Sequence, residues 1–378
     1  MGDQRILKQF FNVLFAVALM GGIGFWLARK STEKSAPVLR ICAWSNYLPE
    51  EVIADFHKQT GIRVELSFIS SNEELFAKLR AGATGFDLIQ PSDYMSRQMI
   101  RLGMLRELDH SRLGNLANLM PEAHNAAWDP GLKYTVPFSW GTTGLVVNAA
   151  KVSLAELASS SALPQGEGRQ APGWELLFES PDPHHTSLLD DMREVFSAML
   201  IWKGTSPNLN GMQTIADNNN FIKSLETARG GLQTVREKIL MFTSEPRQYL
   251  IRSELNIAHA YSMDALQAGA EKPDFHYFIP RQGAVRWADN FAIPASARHL
   301  DEAYRFLDFI LEAKVASHLA LQGRFSTQNQ KAWDLLPDSE KNNPALYPDP
   351  ATLARLHYLE DLGDTLPVMN RMWAELKI

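Results

Sequence analysis

The chain has 378 residues, of which 45% are hydrophobic and 21% are charged. This length suits two domains, and the composition excludes both an intrinsically disordered chain and a membrane protein with many spans. The formal net charge of −6 argues against nucleic acid as a partner, because a phosphate backbone attracts basic surfaces. The single cysteine, Cys42, excludes an intrachain disulfide framework and a multi-cysteine metal site.

The first 34 residues have the pattern of a leader. Arg5 and Lys8 precede an apolar run from Phe10 to Ala28, as in an export signal. The run is long enough to span a bilayer, and no small-x-small cleavage site is evident. Residues 1–34 are therefore predicted to be either a cleaved signal peptide or a retained anchor in the inner membrane. Both alternatives place the body outside the cytoplasm.

The next part of the chain alternates between strand and helix patterns. Strands are predicted at 38–44, 63–70 and 86–90, and helices at 49–60 and 73–81. This alternation predicts an α/β domain with a largely parallel sheet, in which ligands bind beyond the carboxyl ends of the strands. The polar and aromatic residues that fall there are Trp44, Ser45, Asn46 and Tyr47 after the first strand, and Ser92, Asp93 and Tyr94 after the third.

The remainder is less regular, with an exposed loop predicted at 159–173 and helices at 192–203, 221–239 and 300–321. The sequence contains no phosphate-binding loop, nucleophile elbow, HExxH or CxxC motif, so no cofactor is expected. His184 and His185 lie near acidic residues, but adjacent histidines on a loop usually point apart, and no metal site is predicted. Cys42, inside an apolar strand, is interpreted as an unreactive core residue.

Eight short segments together resemble one known family. They are Trp44-Ser45-Asn46-Tyr47, Gln59-Thr60-Gly61-Ile62, Ser71-Asn72-Glu73, Gly85-Phe86-Asp87-Leu88, Pro91-Ser92, Trp140-Gly141-Thr142-Thr143-Gly144, Arg193-Glu194-Val195-Phe196 and Asp289-Asn290-Phe291-Ala292-Ile293-Pro294. In this order, from about Leu39 to the C-terminus, the chain resembles the periplasmic putrescine- and spermidine-binding proteins of polyamine ABC transporters, and within them the putrescine-type branch.

The resemblance implies an α/β, two-lobed periplasmic-binding-protein fold of type II with hinge-crossing strands. Lobe 1 would comprise residues 38–147 plus 288–332, and lobe 2 would comprise residues 148–287 plus 333–378. The two lobes would close on the ligand like a hinge.

The resemblance also implies a set of site residues. The aromatic box would be Trp44, Tyr47, Tyr261 and Trp287. The acids that pair with the amines would be Asp191, Glu194, Asp264 and Asp289. Ser45 and Ser92 would add polar contacts, and Asp93 and Tyr94 would lie close to the cleft. This mixture suits a protonated alkylamine, because a carboxylate replaces the lost hydration of the ammonium and aromatic faces suit both the methylene chain and the cation.

Several points stay open in the sequence. Trp44 and Tyr261 have a simpler interpretation as packing residues. Asp191 has a simpler interpretation as the N-cap of the helix that follows it. Glu194 has a simpler interpretation as an acidic residue in the first turn of that helix. The family usually has an acid where Asn46 stands and a tryptophan where Tyr261 stands. A diamine therefore fits, and agmatine, cadaverine and spermidine remain alternatives.

The expected function is that of the extracytoplasmic binding protein of an ABC importer, which delivers a polyamine to permease subunits and catalyses no reaction. The permease is the expected protein partner, and membrane contact is expected through the leader if it is uncleaved. One alternative is an enzyme on the same fold that uses a cleft cysteine. Another is a membrane-tethered polyamine sensor, which would share the binding site and differ only in its partner.

Overall fold

The computed structural model describes residues 36–378 except 46, 83–84, 154–171 and 210–213. The predicted leader, Asn46 and most of the predicted loop at 159–173 lie outside the described residues. Among the residues that are described, no helix is both long enough and apolar enough to cross a membrane.

Strands and helices are numbered separately in chain order. The strands are β1 Val38–Trp44, β2 Arg63–Ile69, β3 Leu88–Ile89, β4 Thr135–Asn148, β5 Thr186–Leu189, β6 Met241–Thr243, β7 Ile257–Tyr261, β8 Phe275–Phe278, β9 Ala284–Ala292, β10 Ser326–Thr327 and β11 Leu356–His357. The helices are α1 Glu50–Thr60, α2 Asn72–Arg80, α3 Asp93–Arg101, α4 Pro121–His124, α5 Glu175–Phe178, α6 Met192–Trp202, α7 Ile215–Arg236, α8 Pro246–Ile251, α9 Ser262–Glu271, α10 Leu300–Ile310, α11 Ala313–Gly323, α12 Gln330–Leu335, α13 Asp338–Lys341, α14 Pro350–Leu353 and α15 Leu366–Lys377. Short 3₁₀ turns occur at His110–Arg112, Gly114–Asn118, Pro183–His185 and Gly363–Thr365.

The first strands and helices follow the sequence prediction closely. β1 pairs in parallel with both β2 and β3, which confirms the predicted parallel sheet. α1 buries Val52 and Phe56 on one face and ends at Gly61, whose φ of 73° is the left-handed conformation that glycine adopts without strain. This arrangement leaves the carboxyl ends of β1 and β3 side by side.

Two long buried strands connect this sheet to a second group of strands. From Thr135 to Thr142, β4 pairs antiparallel with β9. From Thr143 to Val147, the same strand pairs with β7, which in turn pairs in parallel with β5. At its other end, β9 pairs with β3 through Ala292. The strands β4 and β9 are thus shared by both groups.

Apolar side chains form two principal cores, one on each side of these shared strands. The first core contains residues of β1, α1, α10 and α11, with Phe56 and Phe306 fully buried. The second contains residues of β5, α6, α7 and the C-terminal helix α15, with Phe196 and Leu225 fully buried. The lobe boundaries that the resemblance implies stay a prediction.

The prediction of one helix at 300–321 was wrong, because the structure has two helices, α10 and α11. The chain turns at Leu311, whose carbonyl oxygen accepts hydrogen bonds from the side-chain amides of Asn118 at 3.1 Å and Asn329 at 2.8 Å. These two donors come from distant parts of the chain and satisfy a carbonyl that a continuous helix would have paired internally.

The helix predicted at 221–239 begins earlier, at Ile215. Thr214 and Asp217 form a capping box there, in which each side chain accepts from the backbone N–H of the other residue.

Candidate ligand-binding cleft

A cavity of about 620 Å³ lies between the two cores. The predicted site residues that line it are Trp44, Ser45, Tyr47, Ser92, Asp93, Tyr94, Asp191, Glu194, Tyr261, Asp264, Trp287 and Asp289. The remaining predicted residue, Asn46, lies outside the described part of the chain. The structure therefore brings together every described residue of the predicted site, and their role in binding stays a prediction.

The strand ends explain why these residues meet. Tyr47 follows β1, Asp93 follows β3, Asp191 follows β5 and Tyr261 ends β7, so each lies beyond the carboxyl end of a parallel strand. Trp287 and Asp289 occupy alternate positions of the shared strand β9, and alternate residues of a strand lie on one face. Both groups of strands and a shared strand thus contribute to one cavity.

Asp289 is buried and held by two hydroxyl groups. Tyr47 donates to its Oδ2 at 2.7 Å, and Ser92 donates to its Oδ1 at 2.6 Å. Ser92 is itself fixed by Asn72, whose Oδ1 accepts from the Ser92 backbone N–H at 3.0 Å. Burial raises the pKa of Asp289 to about 6, against the lowering effect of the two hydroxyl donors. No cationic side chain in the described structure forms a salt bridge with it.

Asp93 and Glu194 each have a carboxyl oxygen that lacks a hydrogen-bond partner among the described residues. Asp93 accepts from the Tyr94 backbone N–H at 2.6 Å through Oδ1, while its Oδ2 is buried and unpaired within the described residues. The Oε2 of Glu194 is also buried and has no hydrogen-bond partner within the described residues. Burial raises the pKa of Asp93 to about 8 and that of Glu194 well above its usual value. A buried acceptor without a donor is costly, so both groups are well placed to accept from a ligand.

Asp191 combines the two alternatives that the sequence left open. It caps helix α6 by accepting from the Glu194 backbone N–H at 3.0 Å, and it also lines the cavity. The Tyr261 hydroxyl donates to its other oxygen at 3.2 Å. Burial raises the pKa of Asp191 against the lowering effect of these donors. The cap thus holds this carboxylate in position in the cleft.

Aromatic rings cover the walls of the same cavity. The rings of Tyr261 and Trp287 meet edge to face, with centroids 6.0 Å apart and planes at 89°. Gly141 on β4 makes room for Trp287, because a Cβ there would lie 2.4 Å from its ring. The indole N–H groups of Trp44 and Trp287 are buried and have no acceptor in the described part of the protein.

Asp264 lies in the first turn of α9 at another part of the cleft. Burial raises its pKa to about 7, while the positive charge of Arg247 lowers it. Arg247 also donates to Gln267 at 2.9 Å and pairs with Glu271. This region of the cleft therefore has a cation of its own.

Sequence reasoning missed Asn72 and Arg193. Ser71 caps α2 through the Glu74 backbone N–H at 3.1 Å, and Asn72 next to it reaches Ser92 in the site. Arg193 lines the cavity and is only 2% exposed. The only signal for Arg193 was its place beside Glu194 in a matched segment.

Cys42 does not line the cavity. It is fully buried in β1, and burial raises its pKa to about 11, whereas an activated thiol has a lowered pKa. The alternative of an enzyme that uses a cleft cysteine is therefore not supported. The ring Nδ1–H of His185 donates to Asp182 Oδ1 at 2.8 Å, and no group of His, Cys, Asp and Glu among the described residues is arranged to hold a metal ion.

Comparisons with known proteins find relatives that match nearly the whole chain. The "Spermidine/putrescine-binding periplasmic protein 1" of Haemophilus influenzae is 31% identical, over 92% of this chain and 91% of that protein. The "Putrescine-binding periplasmic protein PotF" of Escherichia coli is 31% identical, over 98% of both chains. A solved structure assigned to a spermidine/putrescine ABC transporter of Listeria monocytogenes is 30% identical with a TM-score of 0.79, covering 90% of this chain and 99% of that one.

A family model matches residues 51–347, which include most of both cores and most of the cleft. The chain belongs to the family of bacterial extracellular solute-binding proteins.

Proposed function

We propose that the chain captures a polyamine, with a putrescine-like dication as the first candidate, in the cleft between its two cores. One observation carries the proposal: among the described residues, nine carboxyl groups and six aromatic side chains line one cavity, and two buried carboxyl oxygens there have no donor. Relatives that match nearly the full chain are named for binding putrescine or spermidine.

The chemistry of the cleft matches an alkyl diammonium ion. Asp289 would pair with one ammonium group, because its present partners Tyr47 and Ser92 are neutral and leave its charge uncompensated. Asp93 and Glu194 would accept from another ammonium group. Trp287 and the other aromatic side chains would cover the methylene carbons between the charges.

The larger role follows from the same proposal. The protein would act in the periplasm, close its lobes on the amine, release it chemically unchanged to the permease of an ABC importer, and contact the membrane through residues 1–34 where these are retained. A membrane-tethered sensor would have the same cleft and a different partner. Mass spectrometry of the mature N-terminus distinguishes cleaved from anchored protein, with loss of the leader expected for a released binding protein.

A thermal-shift screen tests the choice of ligand. Putrescine, cadaverine, agmatine and spermidine would be compared with neutral sugars and with amino acids. An amine at about 100 times its Kd should add roughly 2.7 kcal/mol to the free energy of unfolding, because it binds only the folded state. A shift with sugars or amino acids and with no amine would refute the proposal.

A further inference from the structure

Helix α9 contacts both sides of the cleft. Ala265 and Ala268 are buried in an apolar cluster with residues of β4, β7 and β8, which attaches the helix to the second group of strands. Met263, in the first turn of the same helix, is instead buried in the first core and lines the cavity. Residues four apart lie on one face of a helix, so Gln267 continues the face that begins with Met263. One helix thus carries a face toward each side.

Gln267 forms the hydrogen bond between α9 and the first core. Its Nε2 donates to the backbone carbonyl of Gly323 at 2.9 Å. Gly323 is the last residue of α11, so this carbonyl has no partner within its own helix. The bond therefore joins a side chain on one side of the cleft to the main chain of the other side.

A second partner fixes the orientation of the Gln267 amide. Arg247 Nη1 donates to Gln267 Oε1 at 2.9 Å, and Arg247 also pairs with Glu271. A guanidinium group can only donate and a carbonyl oxygen can only accept, so the amide oxygen must face Arg247 and the amide nitrogen must face Gly323. Arg247 and Glu271 both line the cavity. The donor is therefore held in place at the wall of the cleft.

The acceptor belongs to a segment that packs on the predicted site. A Cβ at Gly323 would clash with the ring of Phe325, which lies across this glycine. The Phe325 ring in turn stacks on Tyr47, with centroids 5.7 Å apart and planes at 15°. The carbonyl that Gln267 reaches is thus held by the same packing that holds Tyr47 in the cleft.

We propose that Gln267 is a latch between the two sides of the cleft, which stabilises the closed arrangement and so determines how long a captured ligand is retained. This inference rests on the proposed function. Rotation of the two sides about β4 and β9 changes the distance between α9 and the end of α11. A bond made only when the sides are together stabilises the loaded state without touching the ligand. It slows release and leaves the rate of encounter unchanged, by the same factor for every amine.

Stopped-flow tryptophan fluorescence of the full chain with putrescine and with spermidine tests the latch. In Gln267→Ala, the release rates of both amines should rise about threefold to tenfold, as expected for one neutral hydrogen bond, while the association rates stay within about twofold of wild type. Gln267→Met keeps most of the side-chain volume and loses the donor, so it should release as fast as Gln267→Ala. Gln330→Ala is the matched control, since that amide donates to Asp334 within α12 at 3.0 Å, and it should keep the wild-type rates.

The two Gln267 variants separate the latch from simpler explanations. Wild-type release in both would overturn the inference. Fast release in Gln267→Ala with wild-type release in Gln267→Met would also overturn it, because lost packing would then explain the effect. A changed ratio between putrescine and spermidine release would place Gln267 in ligand recognition and contradict a latch. If Gln267→Ala does not fold, Gln267→Met alone decides between fast and wild-type release.

Failure of this inference is distinguishable from failure of the proposed function. If the wild-type protein binds amines and the variants release them at wild-type rates, the proposed function stands and the latch alone fails. If the wild-type protein binds no amine, both fail.

Discussion

At the scale of single residues, the contacts of Asp289 lead us to expect that the cleft selects for a positively charged ligand. Its two carboxyl oxygens accept from Tyr47 and Ser92, which solvate the negative charge without neutralising it. In a buried position, a carboxylate with only neutral donors gains from a cation that brings its own N–H groups. A neutral ligand of the same shape would leave this charge unpaired.

Replacing this carboxylate tests its role. Asp289→Asn should weaken putrescine binding by roughly 2–4 kcal/mol in a calorimetric titration, because the buried ammonium group loses its charged partner. Asp190→Asn is a matched control at the cavity edge, where the native carboxylate already pairs with Lys377 at 2.6 Å. The control should change the binding free energy by less than about 1 kcal/mol. Wild-type affinity in Asp289→Asn, with folding intact by circular dichroism, would remove the residue from the site.

The raised pKa values of the cleft acids predict how stability depends on pH. Burial raises the pKa of Asp289 to about 6, that of Asp264 to about 7 and that of Asp93 to about 8, all above their ordinary value of 3.8. Between pH 4 and pH 8 the folded protein therefore holds more protons on these groups than the unfolded chain does. The free energy of unfolding of the ligand-free protein should accordingly fall as the pH rises through this range.

Ligand binding should show the opposite trend, because the carboxyl groups attract an ammonium ion only when ionised. Urea unfolding at pH 5, 6.5 and 8 measures both effects. Stabilisation by saturating putrescine should be larger at pH 8 than at pH 5, and the pH slope of the ligand-free protein should be shallower in Asp289→Asn. A putrescine effect that is strongest at pH 5 would contradict this electrostatic explanation.

At the scale of helices and strands, local sequence signals predicted the parts of the fold that local chemistry determines. The bounds of β1 and the end of α1 at Gly61 follow from apolar patterns and a stop residue. The turn at Leu311 was not predictable in this way, because its partners Asn118 and Asn329 come from distant segments.

The site shows the same limit of local signals. The family resemblance supplied twelve of the described residues that line the cleft. It gave no sign that Asn72 orients Ser92 or that Arg193 is buried beside Tyr94, because both contacts depend on the packing of separate segments. Asp191 had two competing roles in the sequence, and only the geometry shows that the residue that caps helix α6 also lines the cavity.

The close approach of β4 to Trp287 gives a test at this scale. In Gly141→Ala the new Cβ would lie 2.4 Å from the Trp287 ring and 2.7 Å from Ser262 Oγ. The ring must move, so putrescine affinity should fall about tenfold, and the free energy of unfolding should fall by about 1–3 kcal/mol. Gly230→Ala is the matched control, since nothing lies within 4 Å of the added Cβ in helix α7. That control should keep the affinity and gain up to about 1 kcal/mol of stability. Unchanged affinity in Gly141→Ala would show that the position of this ring is unimportant for binding.

At the scale of the whole molecule, the two cores are joined through the long shared strands β4 and β9. Side chains from both cores and from β9 line one cavity, so a ligand in the cleft gains the most contacts when the two sides approach each other. Repulsion between the cleft carboxylates opposes this approach until a cation binds. We therefore expect a bound ligand to favour a closed arrangement.

Small-angle scattering measures this closure. The radius of gyration should be smaller with saturating putrescine than without it, because rigid lobes rotate about the shared strands. Putrescine with Asp289→Asn, at a concentration that saturates only the wild type, serves as the control and should leave the radius unchanged. An equal radius for the free and the loaded wild-type protein would contradict hinge closure.

The most direct test of polyamine capture is a calorimetric titration of the full chain with putrescine and, in parallel, with 1,4-butanediol, which has the same carbon chain and no charge. Micromolar binding of putrescine corresponds to about −8 kcal/mol. The account predicts binding in this range for putrescine, recovery of the amine chemically intact afterwards, and no measurable binding of the diol. Comparable affinity for the diol, or no binding of any amine, would contradict it.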